Sequence, residues 1–142
     1  MDSRVLVPLD ESPQAWTALE HALEEHADAD ITVLTVIDPI EAGYSAEAMF
    51  PSGSEEWYES QKEAAAERSV RAQEVADEYG VDLSTAIELG QPARTVVEYA
   101  TEHDVDQIVM GSHGRSGVTR ILLGSVAESI VRRSPVPVTV VR

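Results

Sequence analysis

Two apolar, β-branched runs, "RVLVPL" at 4–9 and "ITVLTVID" at 31–38, lack the regular alternation with polar residues of a half-solvated strand. Strands apolar on both faces need cover on both, as in a parallel sheet with helices above and below it. The segment after the first run reads as such a helix. Ser12 is its N-cap, Pro13 takes the first helical position, and Ala15, Leu19, Ala22 and Leu23 recur at helical spacing. A long alanine- and glutamate-rich helix is expected from about 55 to 79, stopping at Gly80. Next come a strand at 81–89, a helix at 91–103 begun by Pro92, and a strand at 106–110. A short helix, Val126 to Arg133, is expected to carry a capping box of Ser125 and Glu128, with Arg132 and Arg133 suited to its negative dipole end. "PVPVTVVR" closes the chain as a fifth strand. Such alternation predicts one α/β domain over 1–142, an open parallel five-stranded sheet with helices on both faces. The segment 39–54, with two prolines and two glycines, reads as a mobile connection.

Charge divides the chain unevenly. Of 26 acidic and 10 basic residues, the stretch 1–106 holds 25 and 5, whereas 107–142 holds only Glu128 against five arginines. The whole carries −16, which repels nucleic acid and anionic lipid, and neither is expected as a partner. Any bound anion belongs in the last quarter. Lys62 is the only lysine, and this acid-rich, lysine-poor composition resembles that of cytosolic proteins from salt-loving organisms. The chain has no cysteine, which rules out thiolate catalysis and disulfides, and it shows no signal-peptide pattern and no apolar run of membrane-spanning length. It is expected to be cytoplasmic.

The acid-free stretch "GSHGRSGVTRILLGS" at 111–125 contains four of the eight glycines. Ligands in open α/β sheets bind beyond the carboxyl ends of strands where the strand order reverses, so the loops after strands 1 and 4 are the candidates. In the second, Gly111 and Gly114 are expected to take positive φ or to let the backbone approach a ligand. Gly124 precedes a helix N-terminus, whose free N–H groups suit phosphate. Arg115 and Arg120 are candidate charge partners. The hydroxyl of Ser125 has two possible uses, helix cap or phosphate contact. His113 has no catalytic partner beside it in sequence, and His21, His26 and His103 fall on polar helix faces or ends, so no catalytic residue is assigned.

Gly111, two residues, Gly114, nine residues and then Gly124–Ser125 resemble the nucleotide-binding signature of the ATP-binding branch of the universal stress protein family. "VPLDES", the strand ending "VID", Gly90 with "PA", and "SPVPVTVVR" extend the resemblance along essentially the whole chain. It implies a Rossmann-like sheet of order 3-2-1-4-5, of the adenine nucleotide alpha hydrolase-like kind, binding ATP with Mg or Mn on the phosphates. Pro8, Leu9 and Asp10 would lie near ribose and phosphates, with Asp10 bonding a ribose hydroxyl or reaching the metal. Val36 would meet adenine through its backbone, and Met110 and Gly111 would flank the nucleotide. Gly114, Arg115, Gly124, Ser125 and Val126 would cradle the phosphates. The resemblance also implies a homodimer through the last strand, with Val136, Val138 and Val140 at the contact.

One residue departs from the family pattern: Glu11 stands where glycine often follows the aspartate, and its carboxylate costs affinity unless it points away or holds a cation. Functionally the resemblance points to a stress-response regulator that retains ATP; no "GK[ST]" lysine of the Walker type is present. Two alternatives stay open: a weak ATPase or an enzyme autophosphorylating Ser112, Ser116 or Ser125, and a dimeric interaction module that has lost nucleotide binding. The residues do not distinguish ATP from another adenine nucleotide, nor do they name a protein partner.

Overall fold

The computed structural model describes residues 3–39, 54–112 and 123–142. The elements are β1 (Arg4–Pro8), α1 (Pro13–Glu25), β2 (Asp30–Ile37), α2 (Ser54–Asp77), β3 (Ser84–Leu89), α3 (Pro92–Glu102), β4 (Gln107–Gly111), α4 (Ser125–Arg133) and β5 (Val138–Val141). The five strands form one parallel sheet of order β3-β2-β1-β4-β5, as expected.

Side chains of each central strand alternate between two cores. Val5, Val7, Leu9, Ile31, Val33 and Val109 pack with Ala15, Leu19, Ala22 and Leu23 of α1 and with Ala72 and Ala76 of α2. Leu6, Leu34, Ile108 and Met110 face the other way, toward Ala93, Val96 and Ala100 of α3 and Ala127 and Ile130 of α4. This two-sided burial explains why β1 and β2 read as continuous apolar runs. The helix starts follow local chemistry. Ser12 Oγ accepts from Ala15 N at 3.2 Å and Gln91 Oε1 accepts from Arg94 N at 2.7 Å, each just before a proline in the first helical position. Gly80, at φ 70°, turns the chain out of α2 in the left-handed conformation, and Val81 N–H closes the helix end on Ala76 O at 3.1 Å.

Two strands are shorter than their apolar runs suggest. Residues 81–83 stay outside β3 because α2 claims their backbone: Gln73 Nε2 donates to Val81 O at 3.1 Å and Leu83 N donates to Gln73 Oε1 at 2.9 Å. β5 begins only at Val138, after two prolines that have no N–H to donate; before it, Val136 N is bonded to Ser134 Oγ at 3.1 Å. The expected capping box is also absent. Gly124 is the N-cap of α4, Ser125 is already helical, and no side chain caps the helix. Glu128 instead pairs with Arg132 one turn on, at 2.6 Å.

Among the described residues, no helix is long and apolar enough to cross a membrane. The segment 40–53 lies outside them. Thr35, 2 % exposed on β2, holds the one buried side-chain polar atom that lacks a hydrogen-bond partner among the described residues. A buried hydroxyl without a partner carries its desolvation cost uncompensated. Thr35→Val is therefore expected to raise the unfolding free energy by about 1 kcal/mol, read from the urea midpoint at unchanged slope.

Candidate functional site

The order 3-2-1-4-5 puts the reversal of strand order between β1 and β4. β1 pairs with β2 over five positions, from Arg4–Asp30 to Pro8–Leu34, and Leu9 N extends that side to Leu34 O at 2.9 Å. The register with β4 comprises only Val5–Gln107 and Leu6–Ile108. Beyond Leu6, β1 therefore stays with β2 and its pairing with β4 ends, so the two strands part at their carboxyl ends, where open sheets of this kind form their cleft.

The structure brings together many of the residues proposed for a site there. Pro8, Leu9 and Asp10 end β1 on one side, while Met110 and Gly111 end β4 on the other. The side chain of Leu9 is 3 % exposed in the α1–α2 core and that of Met110 is 5 % exposed in the α3–α4 core, so both offer the site backbone. Val36, near the end of β2, is partly buried on the α3–α4 side. Asp10 Oδ1 accepts from Ser12 N at 2.7 Å, so the aspartate helps shape the entry to α1. Among the described residues its second carboxylate oxygen has no recorded partner.

α4 is fastened to the end of β4. Ser112 N donates to Val141 O at 2.8 Å, and Gly124 N donates to Ser112 O at 2.7 Å. Gly124 N–H is thereby used within the protein. The next N–H groups, those of Ser125, Val126 and Ala127, begin a helix and have no intrahelical acceptor. Free N–H groups with the positive end of a helix dipole behind them are of the kind that suits an anion. Gly114 and Arg115 lie outside the described residues, as do His113, Ser116 and Arg120.

Gly111 does not take the positive φ expected of it, and it makes room for part of the protein itself. A Cβ there would lie 2.8 Å from the carbonyl carbon of Gln14 and 2.9 Å from Ala15 N. The close approach is made by the first turn of α1, which lies against the end of β4. Gly111→Ala forces that turn away and is expected to cost about 1–3 kcal/mol of stability by urea unfolding.

Glu11 has its charge answered by α2. Arg68 Nη2 lies 2.7 Å and Nε 2.9 Å from Glu11 Oε1, and Arg71 Nη2 lies 3.3 Å from the same oxygen. The hydrogen bond from Arg68 is the main cause holding the Glu11 carboxyl below its ordinary pKa; burial opposes it, and the charges of Arg68 and Arg71 add to it. These arginines escape a reading of the sequence because the contact spans 57 residues. Their only sign in the sequence is a pair three apart, among just five bases in the first 106 residues.

Because the folded pKa of Glu11 is depressed, the pair stabilises the fold above the ordinary carboxylate pKa and loses that contribution as pH falls through the folded value. Glu11→Gln is expected to cost no more than about 1 kcal/mol at pH 7, since the pair is partly exposed. The difference from the parent should vanish as urea titrations are moved below about pH 4.

Among the described residues, no three His, Cys, Asp or Glu side chains gather as metal ligands. A divalent cation here would draw its ligands mainly from phosphate, with Asp10 as the carboxylate at hand.

An open parallel sheet, helices on both faces and a cleft at the reversal of strand order define a Rossmann-like α/β domain. Residues 1–142 match the universal stress protein family, and the chain belongs to that family. It is 35 % identical over 143 residues to a universal stress protein of Methanocaldococcus jannaschii, covering 98 % of this chain and 81 % of the relative. The solved structure of UspA from Lactobacillus plantarum is similar at a TM-score of 0.86 and 29 % identity, over 99 % of this chain and 97 % of that one. A universal stress protein solved in complex with cAMP is similar at a TM-score of 0.64 and 26 % identity, over 99 % and 96 % of the two chains.

Proposed function

We propose that this chain is a cytoplasmic stress-response regulator that binds ATP, with Mg or Mn on the phosphates, in the cleft between β1 and β4. The observation that carries this reading is the start of α4: three N–H groups without an intrahelical acceptor, tied through Gly124 and Ser112 to the end of β4, the strand next to the one that Asp10 follows. Ser125 and Val126 hold phosphate through their backbone, with Gly124 giving close approach and Gly114 and Arg115 completing the cradle. Asp10 takes a ribose hydroxyl with its second oxygen, or reaches the cation. Val36, Pro8, Leu9, Met110 and Gly111 frame base and ribose through main chain. A bound cation supplies neutralisation of phosphate charge. The cAMP-bound relative supports an adenine nucleotide as the ligand class.

Retention with at most slow hydrolysis is part of the proposal, in keeping with a sequence that holds no "GK[ST]" lysine. Dimerisation through β5 is proposed as well. β5 is an edge strand, and Val136, Val138 and Val140 cover the α3–α4 core while keeping partial exposure. An isologous contact would bury the remainder.

Calorimetric titration of nucleotide-stripped protein with ATP and Mg, in dilute buffer and in molar KCl, tests the proposal. Saturable binding is expected for the parent, and Gly114→Val should abolish it. A folded parent that binds in neither buffer would overturn the reading and favour an interaction module. Phosphate release that keeps pace with bound ATP would make the protein an enzyme.

A further inference from the structure

An acidic residue next to Asp10 is a liability in a phosphate site, and the structure shows how this chain contains it. Resting on the nucleotide-site reading above, we propose that Arg68 and Arg71 of α2 are positioning residues for nucleotide binding: they hold the Glu11 carboxylate off the cleft and neutralise it.

Glu11 lies in a loop whose other positions are tightly set. On one side Asp10 Oδ1 holds Ser12 N at 2.7 Å, and on the other Ser12 Oγ holds Ala15 N at 3.2 Å. Neither bond involves the Glu11 side chain, whose carboxylate is held by the arginines. Arg68 has two nitrogens on Oε1, and Arg71 Nη2 reaches Oε1 at 3.3 Å and Oε2 at 3.4 Å, so both carboxylate oxygens are engaged. The arginines are themselves held. The Arg68 side chain is 13 % exposed, and the Arg71 guanidinium lies over the Trp16 ring of α1, 5.2 Å from its centroid. One carboxylate against two guanidiniums leaves the cluster at +1, where Glu11 alone would present −1 beside the cleft. Stretch 1–106 has five basic residues against 25 acidic ones, and two of the five are used on this one carboxylate. α2 thereby sets the charge at the residue next to Asp10.

The test is calorimetry on the full chain with MgATP and with adenosine, which carries no phosphate, in dilute buffer and in 1 M KCl. Arg68→Gln with Arg71→Gln is expected to weaken MgATP binding about tenfold in dilute buffer, for a unit charge left unpaired at close range. In 1 M KCl, where the Debye length is about 3 Å, the loss should shrink to less than about twofold. Adenosine binding should not change, and adding Glu11→Gln, which brings the cluster from −1 to 0 against +1 in the parent, should recover at least half of the lost affinity for MgATP on a logarithmic scale. Arg68→Lys, which keeps the charge, should bind as the parent does and guards against a simple folding defect.

Unchanged MgATP binding in the double variant overturns the proposal. So does an equal loss of MgATP and adenosine in both buffers, or a failure of Glu11→Gln to rescue, because either outcome makes the arginines structural only. If the folded parent binds neither ligand, the nucleotide-site reading itself fails and this inference falls with it.

Discussion

β1 is bonded to β2 through five residue pairs and to β4 through two, and the geometry of the cleft depends on that inequality. Had both ladders run their full length, the carboxyl ends of β1 and β4 would be closed by backbone hydrogen bonds and no cleft would exist between them. As it is, the Leu9–Leu34 bond draws the end of β1 toward β2. The end of β4 goes instead to β5 and α4, through the bonds of Ser112 with Val141 and Gly124. β1 is thus followed by a carboxylate, Asp10, and β4 is fastened to a helix N-terminus, groups of opposite electrostatic character.

Packing at the end of β4 is tight. Gly111 reads as a residue that admits a ligand, yet the first turn of α1 occupies the space where its side chain would stand. The contact sets Gln14 and Ala15, in the first turn of α1, against the end of β4. Charge follows similar logic. In a chain of net −16 the decisive matter is where individual carboxylates point, and Glu11 points to α2 because two guanidiniums are there to receive it.

Several elements were legible from residues alone, for physical reasons that are local. The Ser12 cap with Pro13, and the stop at Gly80, act within a few residues of where they stand. The unbroken apolar runs of β1 and β2 betray burial on both faces. Errors arose where a distant or competing partner intervened. Residues 81–83 are apolar enough for a strand, but the Gln73 side chain takes their backbone groups. Ser125 and Glu128 have the spacing of a capping box, but the helix begins at Ser125 itself and Glu128 turns to Arg132. The glycine loop was legible as a motif, and residues 113–122 of it lie outside the described structure.

The amino-acid order by itself determined the α/β class, the succession of the nine elements among the described residues, the family and the likeness to its glycine signature, because these rest on short-range periodicity and on residue identity. Only the tertiary structure decided which strand ends part to form a cleft, what Gly111 makes room for and where the charge of Glu11 goes. Each of those depends on contacts between residues far apart in the chain, whose distances are settled only when the sheet and its helices pack together.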